Sequence, residues 1–493
     1  MTIKKKVIIV GGGTAGLVIA NNLQENFDVI VLEKSQHRRY PLKYFPPLLI
    51  GLLFRKNHDK YIRKRNFELS DGRNIPFFES NVLGGASVIN GCVHMLGSEA
   101  QWSSILKKFD SNYSELIKSY NKLYSLNPKI KNKISLSMSY QNDIDNLFIQ
   151  TLNNFGIMLG DSNYSNNESC GPILNTVRSF FRTSVMTIIK KKYFSCSRGE
   201  KVEELIFSGS KVVGVKTNLR KIDSHYVILS GGVIGTCDLL LNNTNNLLKN
   251  LELGESIQDH INLRVNVLTK KNFGSLNEIS NSFNKKLLLL LKHFFGISTL
   301  MKGTGATSSV HLDLDKDGKI DTRIQIVQFS ETGRHGSDGK FFSTNKPGFS
   351  LSITTINPYS RGYINKKEST NIVNPMYLSS KKDIDLLKIA LEFCLKILHS
   401  NPMSEHILKI EDEKTIIKDP SKYILNNIFS GHHLIGGTQK AINSKFEFKT
   451  TKRLYVCDAS IFDRYAASNI HSSVVLIADV FSNKFITNNK GEI

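Results

Sequence analysis

Apolar and polar stretches alternate at the start of the chain in an order that predicts a β-α-β unit. Residues 7–10 form a short β-branched run of the kind found in a buried parallel strand. A glycine-rich turn follows, then a helical stretch over residues 17–23 and a second apolar run over residues 29–32. Elements in this order are typical of a parallel sheet with helices on its faces.

Further along the chain the pattern changes. Residues 202–207 and 212–216 flank a Ser-Gly-Ser turn and predict a hairpin, whereas residues 177–189 predict a helix. From about residue 262 to 430 alternating strands occur, as at residues 323–329 and 349–356, which favours an antiparallel sheet. The chain therefore predicts an α/β fold with a parallel sheet and a second α+β region with a largely antiparallel sheet.

Composition narrows the class of protein only slightly. Hydrophobic residues make up 40% of the 493 residues and charged residues 22%, which excludes a wholly disordered chain. The net charge of +22 is spread along the chain without a dense basic patch, so we predict general basicity and no nucleic-acid partner. Six cysteines without a C-x-x-C pair predict reduced thiols and a cytoplasmic location, with peripheral membrane contact left open.

A glycine motif lies in the turn of the β-α-β unit. Gly11 permits the tight turn, Gly13 lets the backbone approach a pyrophosphate, and Gly16 lets the helix pack closely on the strand. Glu33 ends the next strand about 20 residues on, where an acid accepts hydrogen bonds from ribose hydroxyls. The motif predicts a dinucleotide site but does not separate FAD from NAD. The predicted residues here are Gly11, Gly13, Thr14, Ala15, Gly16 and Glu33.

Six stretches resemble, in the right order, landmarks of the glucose–methanol–choline (GMC) family of FAD oxidoreductases. Residues 82–91 (VLGGASVING) are similar to the first family signature, and residues 227–236 (VILSGGVIGT) are similar to the second. Residues 254–260 (GESIQDH) are similar to the segment that follows the second signature. Residues 358–362 (PYSRG) and 374–378 (NPMYL) resemble landmarks of the C-terminal half, and residues 456–460 (VCDAS) resemble the final flavin-contacting strand end. Several motifs in order are more specific than any one of them.

The resemblance implies a Rossmann-like FAD domain, assembled from discontinuous segments, with a substrate domain over the isoalloxazine ring. The FAD domain would comprise residues 1–110, 170–262 and 430–493, and the substrate domain residues 111–169 and 263–429. Val202 would meet the adenine through its backbone, Asp458 would hold the ribityl chain, and Ile89 stands where some members carry a flavin-linked histidine, so FAD should be non-covalent. The residues expected to line the pyrophosphate and flavin are Gly84, Gly85, Asn90 and Val93.

Oxidising an alcohol requires a base for the hydroxyl proton and an acceptor for a hydride, here flavin N5. Imidazole suits the first role, since its ordinary pKa lies near neutrality. Residues 430–437 (SGHHLIGG) resemble the family's His-x-x-Gly-Gly stretch and select His433 as the base, with His432 as a rival. Residues 468–471 (SNIH) select His471 to orient the alkoxide, with exchangeable roles, and Asn469 to contact the flavin.

Three other histidine and acidic positions have weaker functional interpretations. His94 borders the expected pocket, while Asp259 and His260 are more suited to a supporting than a catalytic role.

Asp313, Asp315 and Asp317 resemble the start of a calcium loop. However, the position that needs a bidentate Glu is occupied by Ile, so an Asp-Gly turn without a metal is favoured.

Residues 285–295 combine lysines with a run of leucines and two phenylalanines. This pattern suits either an amphipathic helix on a membrane surface or a buried helix with basic ends. We favour the buried helix.

The function predicted is oxidation of a CH–OH group, on a sugar, a glycan precursor or another small alcohol, by hydride transfer to FAD. Oxygen, a quinone or a carrier protein all remain open as electron acceptor. Two alternatives stay open: a flavin-containing lyase of the same fold, which does no redox chemistry, and a non-catalytic dinucleotide-binding protein.

Overall fold

A five-stranded parallel sheet surrounds the β-α-β unit in the computed structural model. Its strands lie in the order Ser195–Arg198, Asp28–Glu33, Lys6–Val10, Tyr226–Leu229 and Leu454–Val456. Val7, Ile8 and Ile9 of the central strand are fully buried, because helices cover both faces of a sheet of this kind. The structure describes residues 4–37, 47–48, 60–69, 72–161, 163–179, 181–190, 194–249, 251–331, 346–367 and 370–489.

Helices Thr14–Leu23 and Ile470–Asn488 pack against each other over the parallel sheet. The first begins at the glycine turn, and the second brings the C-terminal part of the chain to the same edge of the sheet. Asn22 donates a hydrogen bond of 2.8 Å to Asp479 between them. The carboxyl ends of the parallel strands and the start of both helices therefore meet at one place.

A second sheet is antiparallel and forms the other large core. Its strands lie in the order Ile407–Ile410, Ile261–Thr269, Gly348–Thr355, Thr322–Val327, Ala306–Leu312 and Ser169–Pro172, with Phe429–Ser430 paired to the second of them. Helix Lys381–His399 packs on it, and every residue of Gly348–Thr355 is buried. The predicted fold class, a Rossmann-like domain with a largely antiparallel second sheet, is thus confirmed.

The remaining elements are short and connect these two cores. The further α-helices are Glu99–Lys107, Tyr113–Leu123, Asp143–Asn154, Val185–Ile188, Gly232–Asn242, Leu276–Ser280, Phe283–Phe294, Glu413–Lys418 and Pro420–Asn427. Among the longer of the further strands, Ile62–Glu68 pairs with Asn74–Ser80. Two three-stranded sheets have the orders Val202–Ser208, Lys211–Thr217, Lys221–Asp223 and Glu255–Ile257, Gly362–Lys367, Thr370–Asn374. The shortest strands are Val93–His94, Tyr124–Ser125, Ile134–Ser135, Ser137–Met138, Leu174–Asn175, Val177–Arg178 and Phe181–Arg182.

The helix predicted at residues 177–189 is wrong. Strands Val177–Arg178 and Phe181–Arg182 form a small hairpin, and only Val185–Ile188 is helical. The side chain of Ser184 accepts a hydrogen bond from the Met186 backbone N–H, which starts the helix there and not earlier.

The domain boundaries stay a prediction, but the segment of residues 111–169 does not pack as one unit. Helix Tyr113–Leu123 contributes Leu116 and Leu123 to the core of the parallel sheet. Helix Asp143–Asn154 instead contributes to the core of the antiparallel sheet. A division of the chain by packing would therefore fall between these two helices.

The expectation of a buried helix at residues 285–295 is also wrong. Helix Phe283–Phe294 has a single buried residue, His293. No helix in the described part of the chain is both long enough and apolar enough to cross a membrane.

Candidate active site

The glycine turn has the close packing that its sequence predicts. At Gly11 the backbone has φ +107°, and an added Cβ would lie 2.5 Å from the Ser230 carbonyl oxygen. At Gly16 an added Cβ would lie 2.0 Å from the Gly11 carbonyl oxygen, so the helix and the turn are in direct contact. At Gly13 an added Cβ would meet no atom nearer than 4.0 Å. That position opens into a cavity, as a phosphate-binding turn requires.

The first family signature packs directly on this turn. The Gly84 N–H donates a hydrogen bond of 2.8 Å to the Gly12 carbonyl oxygen. Gly85 has φ +60°, and a Cβ there would lie 2.8 Å from the Gly13 Cα. Only glycine fits at such a distance, so the two sequence motifs form one continuous glycine surface.

The Glu33 carboxylate lies at the edge of the same cavity. Its Oε2 accepts a hydrogen bond of 2.8 Å from the Gly12 N–H, and its Oε1 accepts one of 2.8 Å from the Ser35 N–H. Burial raises the pKa of this carboxyl, while the two backbone N–H groups act in the opposite direction. The acid thus fixes the glycine turn while its remaining lone pairs face the cavity.

Asp458 ties the last strand of the parallel sheet to the second signature. Its Oδ2 accepts hydrogen bonds from the Gly232 N–H (2.9 Å) and the Thr236 hydroxyl (2.6 Å). Its Oδ1 accepts a bond of 2.8 Å from the Ser460 N–H. Burial raises the pKa of the Asp458 carboxyl, whereas these hydrogen-bond donors act to lower it. The carboxylate is held rigidly beside the start of helix Gly232–Asn242.

A cavity of about 1670 Å³ runs from the glycine turn to the two predicted catalytic histidines. This volume exceeds that of a usual small-molecule pocket and leaves room for a dinucleotide and a further ligand. Eleven of the predicted site residues line it: Gly11, Gly13, Thr14, Ala15, Glu33, Gly85, Asn90, Val202, Asp458, His433 and His471.

Four predicted residues do not line the cavity. Gly16 and Gly84 support the glycine turn, as described above. Val93 pairs with Asn175 in a short antiparallel ladder and packs on a small apolar cluster. Asn469, predicted to contact the flavin, accepts a hydrogen bond of 2.9 Å from Arg323 through its side-chain oxygen.

His433 is held from three sides. Its backbone N–H donates to Asp259 Oδ1 at 2.6 Å, and its carbonyl oxygen accepts a bond of 2.9 Å from the Tyr465 hydroxyl. Its ring Nδ1 lies 2.9 Å from Nδ1 of His260. The His260 ring in turn stacks on Tyr465, with 3.8 Å between the ring centroids.

This contact fixes the tautomer of His433. Nε2 of His260 lies 2.9 Å from the Ile356 carbonyl oxygen, which only accepts hydrogen bonds, so Nε2 carries the proton. Burial lowers the pKa of His260 well below its usual value, so the ring is neutral and its Nδ1 is an acceptor. Nδ1 of His433 is then the donor. The unprotonated nitrogen of His433 is Nε2, the atom that a general base needs.

His471 is the second residue of helix Ile470–Asn488 and faces the cavity. Its Nε2 is buried and has no hydrogen-bond partner among the described residues. A buried polar atom in this position indicates a ligand that is hydrogen-bonded to it. Burial lowers the pKa of His471 to about 4, with the charge of Arg182 acting in the same direction.

Two buried arginines surround the histidines, and neither was found from the sequence. Arg323, on a central strand of the antiparallel sheet, acts with burial to lower the pKa of His433 to about 3. Arg182 donates to the side-chain oxygen of Asn90 at 2.5 Å. Arg323 could have been found from the sequence, because it is a charged residue within a stretch that reads as a buried strand.

The rival base, His432, lines the same cavity but packs among aromatic side chains. Its backbone has φ +59°, and its ring packs on Phe77 and Phe78, with centroid distances of 5.5 Å to each. His94 is buried against Tyr124 at 4.6 Å between ring centroids and is absent from the cavity wall in the described part of the chain. Within the His432–His433 pair, His433 is the one whose ring contacts a second buried imidazole, that of His260.

A charged pair lines another part of the cavity. Nη1 of Arg264 lies 2.8 Å from Oε1 of Glu331. The Arg264 guanidinium also lies near two aromatic rings, 5.0 Å from the centroid of Phe329 and 5.5 Å from that of Phe429. A ligand that reaches this part of the cavity meets a polar group within an apolar wall.

Comparison with known proteins identifies the class of protein. Residues 358–478 match the family model described as GMC oxidoreductase. The oxygen-dependent choline dehydrogenase of Staphylococcus saprophyticus is 24% identical over 96% of this chain and 93% of its own length. A variant of formate oxidase from Aspergillus oryzae has a TM-score of 0.85 at 16% identity, with all of both chains covered. Pyridoxine 4-oxidase from Mesorbium loti has a TM-score of 0.81 at 17% identity, covering 98% of this chain and 99% of that one.

The protein is similar to GMC oxidoreductases over its C-terminal part, and to an oxygen-dependent choline dehydrogenase over almost its whole length. It is an FAD-dependent flavoprotein, and the glycine surface and the open Gly13 position fit the cofactor.

Proposed function

We propose that this protein oxidises the CH–OH group of a small alcohol, with His433 as the general base. The observation that carries the proposal is the hydrogen-bond chain from the Ile356 carbonyl through His260 to His433, which leaves Nε2 of His433 unprotonated in the cavity. When bound, FAD supplies the hydride acceptor for such a reaction.

The two histidines have different tasks in this proposal. Nε2 of His433 takes the hydroxyl proton, and Nδ1–H of the same ring stays bonded to His260. Nε2 of His471, which is otherwise without a partner among the described residues, hydrogen-bonds the same substrate oxygen and orients it. Burial keeps both imidazoles neutral, so neither is blocked by a proton at neutral pH.

The cofactor is proposed to be non-covalent. Ile89 lines the cavity at the place where some family members carry a histidine, and an aliphatic side chain forms no bond to a flavin. Gly13, Gly85 and the Asp458 carboxylate border the part of the cavity away from the histidines, and they would hold the pyrophosphate and the ribityl chain.

The substrate class is supported by the relatives, whose names refer to choline and pyridoxine, two small molecules with hydroxyl groups. Oxygen is the acceptor named for the staphylococcal relative, and we extend it to this protein as part of the proposal.

The direct test mixes the yellow holoenzyme anaerobically with a panel of alcohols and sugars. We expect loss of the oxidised flavin absorption with one class of alcohol, and its return when air is admitted. Failure of every alcohol and sugar to bleach the flavin would contradict the proposal and favour a non-redox role of the fold.

Replacing His260 tests the chain that fixes the base. In His260→Leu, Nδ1 of His433 loses its acceptor, so the rate of flavin reduction should fall by about tenfold or more. In His260→Gln, an amide can accept from His433 and donate to Ile356, so much of the rate should return. Stopped-flow reduction under anaerobic conditions measures both variants. Equal losses in Leu and Gln would mean that His260 only fills space.

The pH dependence of kcat/KM should reflect a base that is already neutral. Burial and the charge of Arg323 lower the pKa of His433 to about 3, so its unprotonated form persists as the pH falls. We expect kcat/KM to stay flat from about pH 8 to about pH 5, where an unperturbed imidazole would already be protonated. Steady-state rates with a non-ionising alcohol provide the measurement. A decline centred near pH 6 would contradict a base of lowered pKa. It would indicate either an imidazole of ordinary pKa or Asp259, whose pKa burial raises to about 6.

A further inference from the structure

Helix Phe283–Phe294 carries its apolar side chains on the outside of the molecule. Phe283, Leu288 and Phe294 are 78%, 51% and 77% exposed, and only His293 of this helix is buried. A helix of a soluble protein normally turns its apolar stripe toward the core. Here the stripe faces away from it, and exposed apolar patches of this kind mark interaction sites.

The exposed apolar side chains share one side of the helix. At about 100° per residue they fall within an arc of about 160°, whereas Leu289 and His293 lie on the opposite side. We call this set the outer face. Its members are Phe283, Leu287, Leu288, Leu290, Leu291 and Phe294, with Phe295 directly after the helix.

Positive charge borders the outer face. Lys286 and Lys292 are exposed, each about 40° beyond one of its two edges, and the sequence contains no Asp or Glu between Glu278 and Asp313. A helix with a wide apolar face and flanking lysines matches an anionic bilayer surface. The apolar side chains enter the boundary between headgroups and acyl chains, while the ammonium groups contact lipid phosphates.

The opposite side of the same helix forms part of the cavity wall. Lys286 and Leu289 line the cavity, together with Leu276 and Ile279 of the preceding segment. Anything that binds the outer face therefore lies next to the cavity that contains His433.

We propose that the outer face docks this enzyme on an anionic membrane surface, with the active-site cavity held beside the lipid. The contact is peripheral, since a helix of 12 residues lies along the surface. Docking does not depend on the reaction proposed for His433, so the two are tested by separate measurements.

The charges favour lipid over a second copy of this chain on the outer face. Two copies packed face to face would bring Lys286 and Lys292 of both to the rim of one interface, with no acidic residue of the helix to offset them. The formal net charge of +22 adds repulsion between copies but attraction to an anionic bilayer.

The test is flotation of the full-length holoenzyme with two kinds of vesicle, phosphatidylcholine alone and phosphatidylcholine with phosphatidylglycerol. We expect binding to the anionic vesicles that weakens with salt, and little binding to the neutral ones. The triple variant Leu287→Gln, Leu291→Gln, Phe294→Gln should bind about tenfold or more weakly. These three side chains are exposed and are absent from the cavity wall, so its flavin content and thermal midpoint should match the unchanged protein.

The matched control is Leu219→Gln with Ile417→Gln, which removes two apolar side chains exposed elsewhere, at 66% and 65%. This variant should bind vesicles like the unchanged protein. The proposal is overturned if the unchanged holoenzyme does not float with anionic vesicles, or if the control loses binding as much as the triple variant. Dimerisation in solution that the triple variant abolishes, without vesicle binding, would assign the outer face to self-association.

Discussion

His433→Ala should slow anaerobic flavin reduction by about 10²-fold or more at saturating alcohol. The variant removes the imidazole ring whose tautomer is fixed by a neighbouring ring, since Nδ1 of His433 lies 2.9 Å from Nδ1 of His260. Without it, the hydroxyl proton loses the base that His260 holds in position. Stopped-flow spectroscopy of the flavin gives the rate directly, free of the oxygen half-reaction.

His432→Ala is the matched control. This ring packs on Phe77 and Phe78, so its removal should change the reduction rate only by a small factor. Both variants should keep the flavin spectrum of the unchanged protein. Near-normal reduction in His433→Ala would move the base to His432 or His471, and the double variants would then decide between them.

Gly13→Val should yield a folded protein that has lost most of its FAD, by about tenfold or more in the flavin-to-protein ratio. The added side chain meets no protein atom nearer than 4.0 Å at its Cβ, so the chain itself has room for it. The space that it occupies is the part of the cavity where the pyrophosphate would lie. Absorbance of the purified protein measures the ratio, and circular dichroism checks the fold.

Gly16→Val is the contrasting variant. Its Cβ would lie 2.0 Å from the Gly11 carbonyl oxygen, so this substitution should prevent correct folding of the turn and not only cofactor binding. A Gly13→Val protein with a full complement of FAD would contradict the placement of the cofactor along the glycine turn.

Local patterns were sufficient to predict the nucleotide half of the fold. The buried run at residues 7–10, the glycine turn and Glu33 are adjacent in sequence, and the structure has strand Lys6–Val10, the turn and strand Asp28–Glu33. Gly85 and Asp458, which were selected from the motifs at residues 82–91 and 456–460, line the same cavity. Each of these signals depends on a few neighbouring residues and on backbone geometry that only glycine allows.

The rest of the site depends on contacts between distant segments, which a local pattern cannot reveal. His260 was expected only to support the site, yet its ring fixes the tautomer of a residue 173 positions away. Arg323 lowers the pKa of His433 from a strand of the other sheet. The orientation of helix Phe283–Phe294 was predicted wrongly because its leucine run looks the same whether it packs on a core or on another surface.

The order of strands in the parallel sheet has a consequence for how the chain is made. Strand Lys6–Val10 and helix Thr14–Leu23 leave the ribosome long before the edge strand Leu454–Val456 and the covering helix Ile470–Asn488. Until then the apolar face of helix Thr14–Leu23 lacks its partner, and nascent chains with such uncovered surfaces are prone to aggregate. A chain that stopped before residue 454 would therefore have neither the complete nucleotide sheet nor His471.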